Sequence, residues 1–139
     1  MTIEPHNIAL FCTVTLLAIT AYFLLGSVPL LVLKHDDPVD ARFIRSFYIT
    51  YFKFASIAAT ATAVSYAAAA RPLFAAIATA VVILTLVLRA KLIPKMDQLD
   101  ADIQANNASA IPAFRKIHKS AILLNTCQLA ALLGSLVAL

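Results

Sequence analysis

"FASIAATATAVSYAAAARPLFAAIATAVVILTLVLR", residues 54–89, consists of two long uncharged runs joined by an arginine and a proline. Each run is close to the ~20 residues that an apolar helix needs to cross the hydrocarbon core of a bilayer. Pro72 suits the first position of a helix, because the N–H that proline lacks would have no partner there. The stretch therefore predicts two neighbouring membrane helices joined by a tight turn at Arg71.

Apolar segments of the same kind lie on both sides of this pair. Together they predict four spans, at about residues 8–33, 46–70, 72–94 and 112–138. Of the 139 residues, 62% are hydrophobic and 13% are charged, whereas soluble domains carry about 25% charged residues. No soluble region of domain size remains between the spans. We therefore predict one domain over residues 1–139, an all-α integral membrane bundle of four helices in up-down-up-down order.

The basic residues divide unequally between the two sides of this predicted bundle. Ten lie in or beside the connections between helices 1 and 2 and between helices 3 and 4, and Arg71 alone lies on the opposite side. Because cytoplasmic loops are enriched in Lys and Arg, we expect both longer connections in the cytoplasm and both termini outside. The Ala-rich sequence with short loops favours a bacterial inner membrane. The net charge of +4 is explained by topology and anionic lipid, so no nucleic acid partner is expected.

Proline, glycine and capping residues predict the helix boundaries. We expect a kink in helix 1 at Gly26–Pro29 and a start of helix 2 with Asp37 as cap and Pro38 in the first position. Pro94 is expected to kink or end helix 3, with an amphipathic extension to about residue 104. "NNAS" (106–109) predicts a break, and helix 4 should begin near Ile111.

Helix 2 has two further features. An aromatic collar is expected near its start, where rings lie at the membrane interface; its members are Phe43, Phe47, Tyr48, Tyr51, Phe52 and Phe54. Farther along, small residues share one face and predict close packing against another helix. These are Ala55, Ala59, Thr62 and Ala63, with Tyr66 at the end of the face.

A polar stripe follows one face of helix 4. Its members are spaced at helical intervals: Phe114, His118, Ala121, Asn125, Gln128 and Leu132. His118 and Asn125 are two turns, or about 10.5 Å, apart. Since an unpaired amide in hydrocarbon is costly, these polar groups should face the bundle. Arg115 and Lys119 of helix 4, with Arg89 and Lys91 of helix 3, are expected to surround a cytoplasmic mouth.

Two functions fit this stripe. In the first, Asn125 and Gln128 bond neighbouring helices, and the protein is a structural or accessory bundle that associates with lipid or a larger membrane complex, without an evident catalytic site. In the second, the stripe and its basic rim bind an amphipathic anion, a quinone-like molecule or a haem propionate. The candidate ligand-binding residues are then His118, Asn125, Gln128, Arg115, Lys119, Arg89 and Lys91.

Other chemistry is not indicated by the sequence. No acidic residue lies within a span, and the three histidines are not spaced as a ligand set, so we predict no metal site. No cofactor can be identified. The expected partners are membrane lipids, with further copies of the chain or other membrane proteins as additional candidates.

Three segments carry a family resemblance: "FIRSFYITYF" (43–52), "LRAKLIPKMDQL" (88–99) and "FRKIHKSAILLN" (114–125). They resemble the start of helix 2, the end of helix 3 and the helix 4 signature of the transmembrane-protein-205-like family. In the last segment Phe114, His118, Ser120 and Asn125 match, and Lys119 stands where a glycine usually follows the histidine. The resemblance covers about two-thirds of the chain, implies a four-helix membrane bundle and supplies no established reaction.

The chain is more loosely similar to other four-helix membrane families. Copper-resistance-D and protoporphyrinogen-oxidase-type bundles use helix histidines for haem, but this sequence has no evident pair of intramembrane histidines. The similarity to anthrone-oxygenase-like four-helix proteins is limited to general features.

Overall fold

The computed structural model describes residues 2–33 and 38–138. These residues form four α-helices and one short 3₁₀ turn, with no strand among them. The elements are α1 (Pro5–Ser27), the 3₁₀ turn (Pro29–Val32), α2 (Pro38–Ala68), α3 (Pro72–Gln104) and α4 (Ala110–Ala138). The all-α, four-helix prediction is confirmed. The predicted Asp37 cap lies outside the described residues, as do Lys34 and His35.

The four helices form a closed bundle. Each packs against its neighbours in sequence, and α1 also packs against α4. Leu31 lies in the 3₁₀ turn that follows α1. Its carbonyl accepts a 2.9 Å hydrogen bond from Nη2 of Arg115, near the start of α4. Near the start of α2, Arg45 forms an ion pair with Asp97, which lies toward the end of α3. We call this side of the bundle the basic end and the opposite side the far end.

Within the part of the chain that the structure describes, three helical segments are long and apolar enough to cross a membrane: Pro5–Val32, α3 and α4. Large hydrophobic side chains on the outside of the bundle agree with this, since Phe11, Leu25 and Val137 are 72%, 73% and 90% exposed. By the length and composition of these helices, the chain is a membrane protein. α2 has 31 residues but a less apolar composition, and its predicted span, 46–70, stays a prediction.

The small face of α2 is buried as expected. Ala55, Ala59 and Thr62 are at most 2% exposed, and Tyr66 is 3% exposed, while Ala63 is half-buried. At the far end, the Tyr66 hydroxyl is 2.9 Å from Oγ1 of Thr13 on α1. This face joins α2 to its neighbours.

The aromatic collar was only partly predicted correctly. Tyr48, Tyr51 and Phe52 are each 1% exposed and belong to the core, whereas Phe43 and Phe54 are 56% and 49% exposed. The reason is helical periodicity: the first three side chains continue the buried small face of α2 toward its N-terminus, and the other two point away from it. The collar thus divides into core aromatics and outward-facing aromatics.

The helix breaks follow their sequence signals with one difference, which concerns α1. α1 does not kink and continue: it ends at Ser27 and passes into the 3₁₀ turn. Gly26 permits a close approach there, since a Cβ atom at this position would lie 2.9 Å from Cζ of Phe47. α3 continues through Pro94 to Gln104, so that proline does not end the helix. Asn106 in the "NNAS" break has a φ of 60°.

Candidate functional site

The polar stripe of α4 faces the inside of the bundle. His118, Asn125 and Gln128 are 0%, 2% and 5% exposed. The apolar members of the stripe, with Phe114 at one end and Leu132 at the other, are buried as well. The inward orientation expected from the helical spacing is confirmed.

His118 belongs to a hydrogen-bonded group that joins three helices. Its Nε2 lies 3.0 Å from Oγ of Ser27, the last residue of α1. The same Oγ lies 2.5 Å from the Tyr48 hydroxyl of α2, and the rings of Tyr48 and His118 meet edge to face at 5.9 Å. We call Ser27, Tyr48 and His118 the three-helix contact.

The Ser27–His118 distance matches that of a nucleophile and its general base. Both side chains are 0% exposed, however, and the Ser27 hydroxyl is also bonded to Tyr48. No substrate atom has access to such a pair, and its immediate effect is to hold α1, α2 and α4 together.

A second polar layer, about two to three turns farther along α4, is not satisfied in this way. Among the described residues, Nδ2 of Asn125, Nε2 of Gln128 and the Tyr51 hydroxyl are buried without a hydrogen-bond partner. The Tyr51 hydroxyl faces Gln128 and Thr20, but it is not in hydrogen-bonding geometry with either. Thr20 donates to the Leu16 carbonyl instead, at 2.9 Å. We call Tyr51, Asn125 and Gln128 the unpaired layer.

The unpaired layer is chemically suited to binding an acceptor. An amide nitrogen can only donate, whereas a phenol hydroxyl both donates and accepts. A buried polar group without a partner costs about 1–3 kcal/mol, and such groups are uncommon in native proteins. Asn125 and Gln128 are three residues apart on α4, so their side chains are neighbours. The layer therefore offers donors to a carbonyl, a hydroxyl or water.

The basic residues predicted to surround the site lie apart from this layer. Arg115 is half-buried and reaches the Leu31 carbonyl of the 3₁₀ turn. Lys119, Arg89 and Lys91 are exposed. Arg115 and Asn125 are ten residues, or about 15 Å, apart along α4. The structure thus brings His118, Asn125 and Gln128 into the interior and leaves the cations at its basic end.

Metal or haem ligation at the polar stripe would depend on His118. Within residues 2–33 and 38–138, no group of three or more His, Cys, Asp or Glu side chains could hold a metal ion. His118 is buried, but its Nε2 already lies within hydrogen-bonding distance of Ser27. A haem axial bond through that nitrogen would require the three-helix contact to open.

Sequence reasoning missed the residues that complete both layers. Tyr48 and Tyr51 were assigned to the membrane interface, although the periodicity of the small face of α2, extended two turns backward, would have placed them inside. Ser27 had no comparable signal, because its position depends on where α1 ends.

The resemblance to the transmembrane-protein-205-like family stays a prediction. No protein-family model matches the chain, and neither the curated proteins nor the solved structures include a significant match.

Proposed function

We propose that the interior of this membrane bundle binds a small membrane-soluble molecule that carries an acceptor oxygen. The observation that supports this is the unpaired layer, in which three buried polar atoms lack a partner among the described residues. If Asn125 and Gln128 served only to bond neighbouring helices, their amide nitrogens would be paired. A carbonyl oxygen between them would supply the missing acceptor.

The surroundings of the layer favour a neutral molecule over an amphipathic anion. Asn125 lies about 15 Å along α4 from Arg115, and the exposed Lys119 is nearer the basic end. A charged group without a counter-ion is costly in a low-dielectric interior. Of the candidate ligands suggested by the sequence, a quinone-like carbonyl compound fits better than a haem propionate or an anionic head group.

The second candidate function is a structural or accessory bundle, and a different observation favours it. The three-helix contact and the Thr13–Tyr66 hydrogen bond join helices at both ends of the molecule. In this account the bundle associates with membrane lipids, with other membrane proteins or with further copies of itself. The two candidates differ in whether the interior is occupied.

We further propose that α2 is the fourth span and that the basic end faces the cytoplasm of a bacterial inner membrane, with both termini outside. α2 packs between α1 and α3, which are themselves apolar enough to cross. At 1.5 Å per residue, α2 and α3 are about 46 and 50 Å long, longer than a hydrocarbon core of ~30 Å. Their excess length lies at the basic end, where Arg45 pairs with Asp97.

Native mass spectrometry from mild detergent tests the binding proposal. The variants are Asn125→Leu, which removes one donor of the unpaired layer, and Thr126→Val, a control at an exposed position on the same helix. We expect the wild type and Thr126→Val to retain a small molecule that Asn125→Leu loses, and solvent extraction should identify it. An empty wild type, or equal retention by all three proteins, would contradict the proposal.

A further inference from the structure

A groove runs between α3 and α4 on the membrane-facing side of the bundle. Its volume is about 310 Å³, and its walls include Ile77, Ala80 and Leu84 of α3 with Leu124 and Ala131 of α4. Ile77 and Leu84 are 38% and 39% exposed, so the groove opens outward. Its position on the outside of two apolar helices makes it accessible to a molecule dissolved in lipid.

Gln128 connects this groove to the interior. Gln128 is one of the residues that line the groove, although it is only 5% exposed as a whole and its Nε2 atom is buried. Its Nε2 has no hydrogen-bond partner among the described residues, and the Tyr51 hydroxyl faces it from within the bundle. One unpaired donor therefore lies where an apolar surface groove meets the unpaired layer.

The charge and size of the groove restrict what it can hold. None of its lining residues is charged, and Lys119 is nine residues, or about 13.5 Å, from Gln128 along α4. A volume of about 310 Å³ is at the lower limit of small-molecule sites, ~300–1,000 Å³. This volume accommodates one ring system. A tail attached to that ring would continue along the groove into the surrounding lipid.

We propose that the α3–α4 groove is the binding site and the point of entry for a neutral, tailed quinone, with one ring carbonyl accepting from Nε2 of Gln128. This inference rests on the proposed function and adds the position of the site at the outer surface, the tail of the ligand and the route of entry. A quinone carries carbonyl acceptors on an apolar ring. This chemistry matches the groove, because one donor, Nε2 of Gln128, lies beside walls that are otherwise apolar. A phospholipid head group would bring a charge to a site without a counter-ion.

Binding of a decyl-substituted benzoquinone to the purified protein in detergent tests the inference. Ala131→Phe fills the groove, and Ala130→Phe introduces the same ring at the adjacent exposed position. Ligand-induced shifts of the denaturation midpoint, measured over a concentration series, report affinity. We expect Ala131→Phe to bind about tenfold more weakly than the wild type, because its ring occupies the same volume as the quinone. Ala130→Phe should bind like the wild type.

Further variants and probes separate the groove from the proposed function. Equal affinity of Ala131→Phe and the wild type, with binding weakened in Asn125→Leu, overturns the groove and leaves interior binding supported. The wild type could instead bind no quinone and retain another molecule that Asn125→Leu loses. That result overturns the ligand class alone. Decanoate, which has a comparable tail and a charged head, should bind more weakly than the quinone. Decanoate binding of equal strength overturns the assignment to a neutral ligand.

Discussion

The Tyr48 hydroxyl is the member of the three-helix contact that can be removed with the least disturbance. It lies 2.5 Å from Oγ of Ser27. The same Oγ lies 3.0 Å from Nε2 of His118, so Ser27 has a second hydrogen-bond partner that does not depend on Tyr48. Hydrogen bonds between membrane helices contribute about 0.6 kcal/mol on average and about 1.7 at most. A buried hydroxyl such as this one is expected to contribute more than that average.

We therefore expect Tyr48→Phe to lower the free energy of unfolding by about 1 kcal/mol. Tyr22→Phe is the matched control, since Tyr22 is 71% exposed and its hydroxyl has no place in the core. Detergent denaturation midpoints of the two variants and the wild type provide the measurement. Equal midpoints for Tyr48→Phe and Tyr22→Phe would show that the three-helix contact contributes little.

At the scale of single residues, the sequence was informative for side chains with a regular spacing and uninformative for the rest. The burial of His118, Asn125 and Gln128 followed from the helical period. The lack of partners for both amide nitrogens did not, because it depends on which side chains of α1 and α2 meet them. Ser27 reaches His118 only because α1 ends at that residue and changes to a 3₁₀ turn.

At the scale of elements, the helices and turns were largely predictable because their signals are local. Pro72 begins α3, and "NNAS" separates α3 from α4, which starts at Ala110. The extension of α3 past Pro94 to Gln104 was one of the outcomes expected. The buried aromatics of α2 were assigned wrongly, because an aromatic belt at the interface and an aromatic core face have the same composition and differ only in periodicity.

The direction of the helices across the membrane gives the prediction at this scale. Arg45 and Arg115 lie at the basic end, close to the ends of α3 and α1 respectively. Since Lys and Arg are retained on the cytoplasmic side, a periplasm-active reporter should be active when fused after residue 139. The same reporter inserted in residues 97–108 should be inactive. Activity in the loop and not at the terminus would reverse the proposed orientation.

At the scale of the whole molecule, the two polar layers contribute to stability with opposite signs. The three-helix contact pairs its groups across α1, α2 and α4, whereas the unpaired layer buries polar atoms that lack partners. Such atoms lower the stability of a ligand-free protein, and a bound acceptor would restore it. Ligand binding and stability are thus coupled through Asn125, Gln128 and Tyr51.

The unfolding free energy of ligand-free Asn125→Leu tests this account most directly. Replacing an unpaired buried amide by an apolar group of similar size is neutral or stabilising, whereas removing a bonded amide is destabilising by about 1 kcal/mol. After exhaustive detergent exchange, we expect the denaturation midpoint of Asn125→Leu to equal or exceed that of the wild type, while Tyr48→Phe falls below it. A midpoint for Asn125→Leu as low as that of Tyr48→Phe would contradict the account, because Asn125 would then be bonded within the protein and not be available to a ligand.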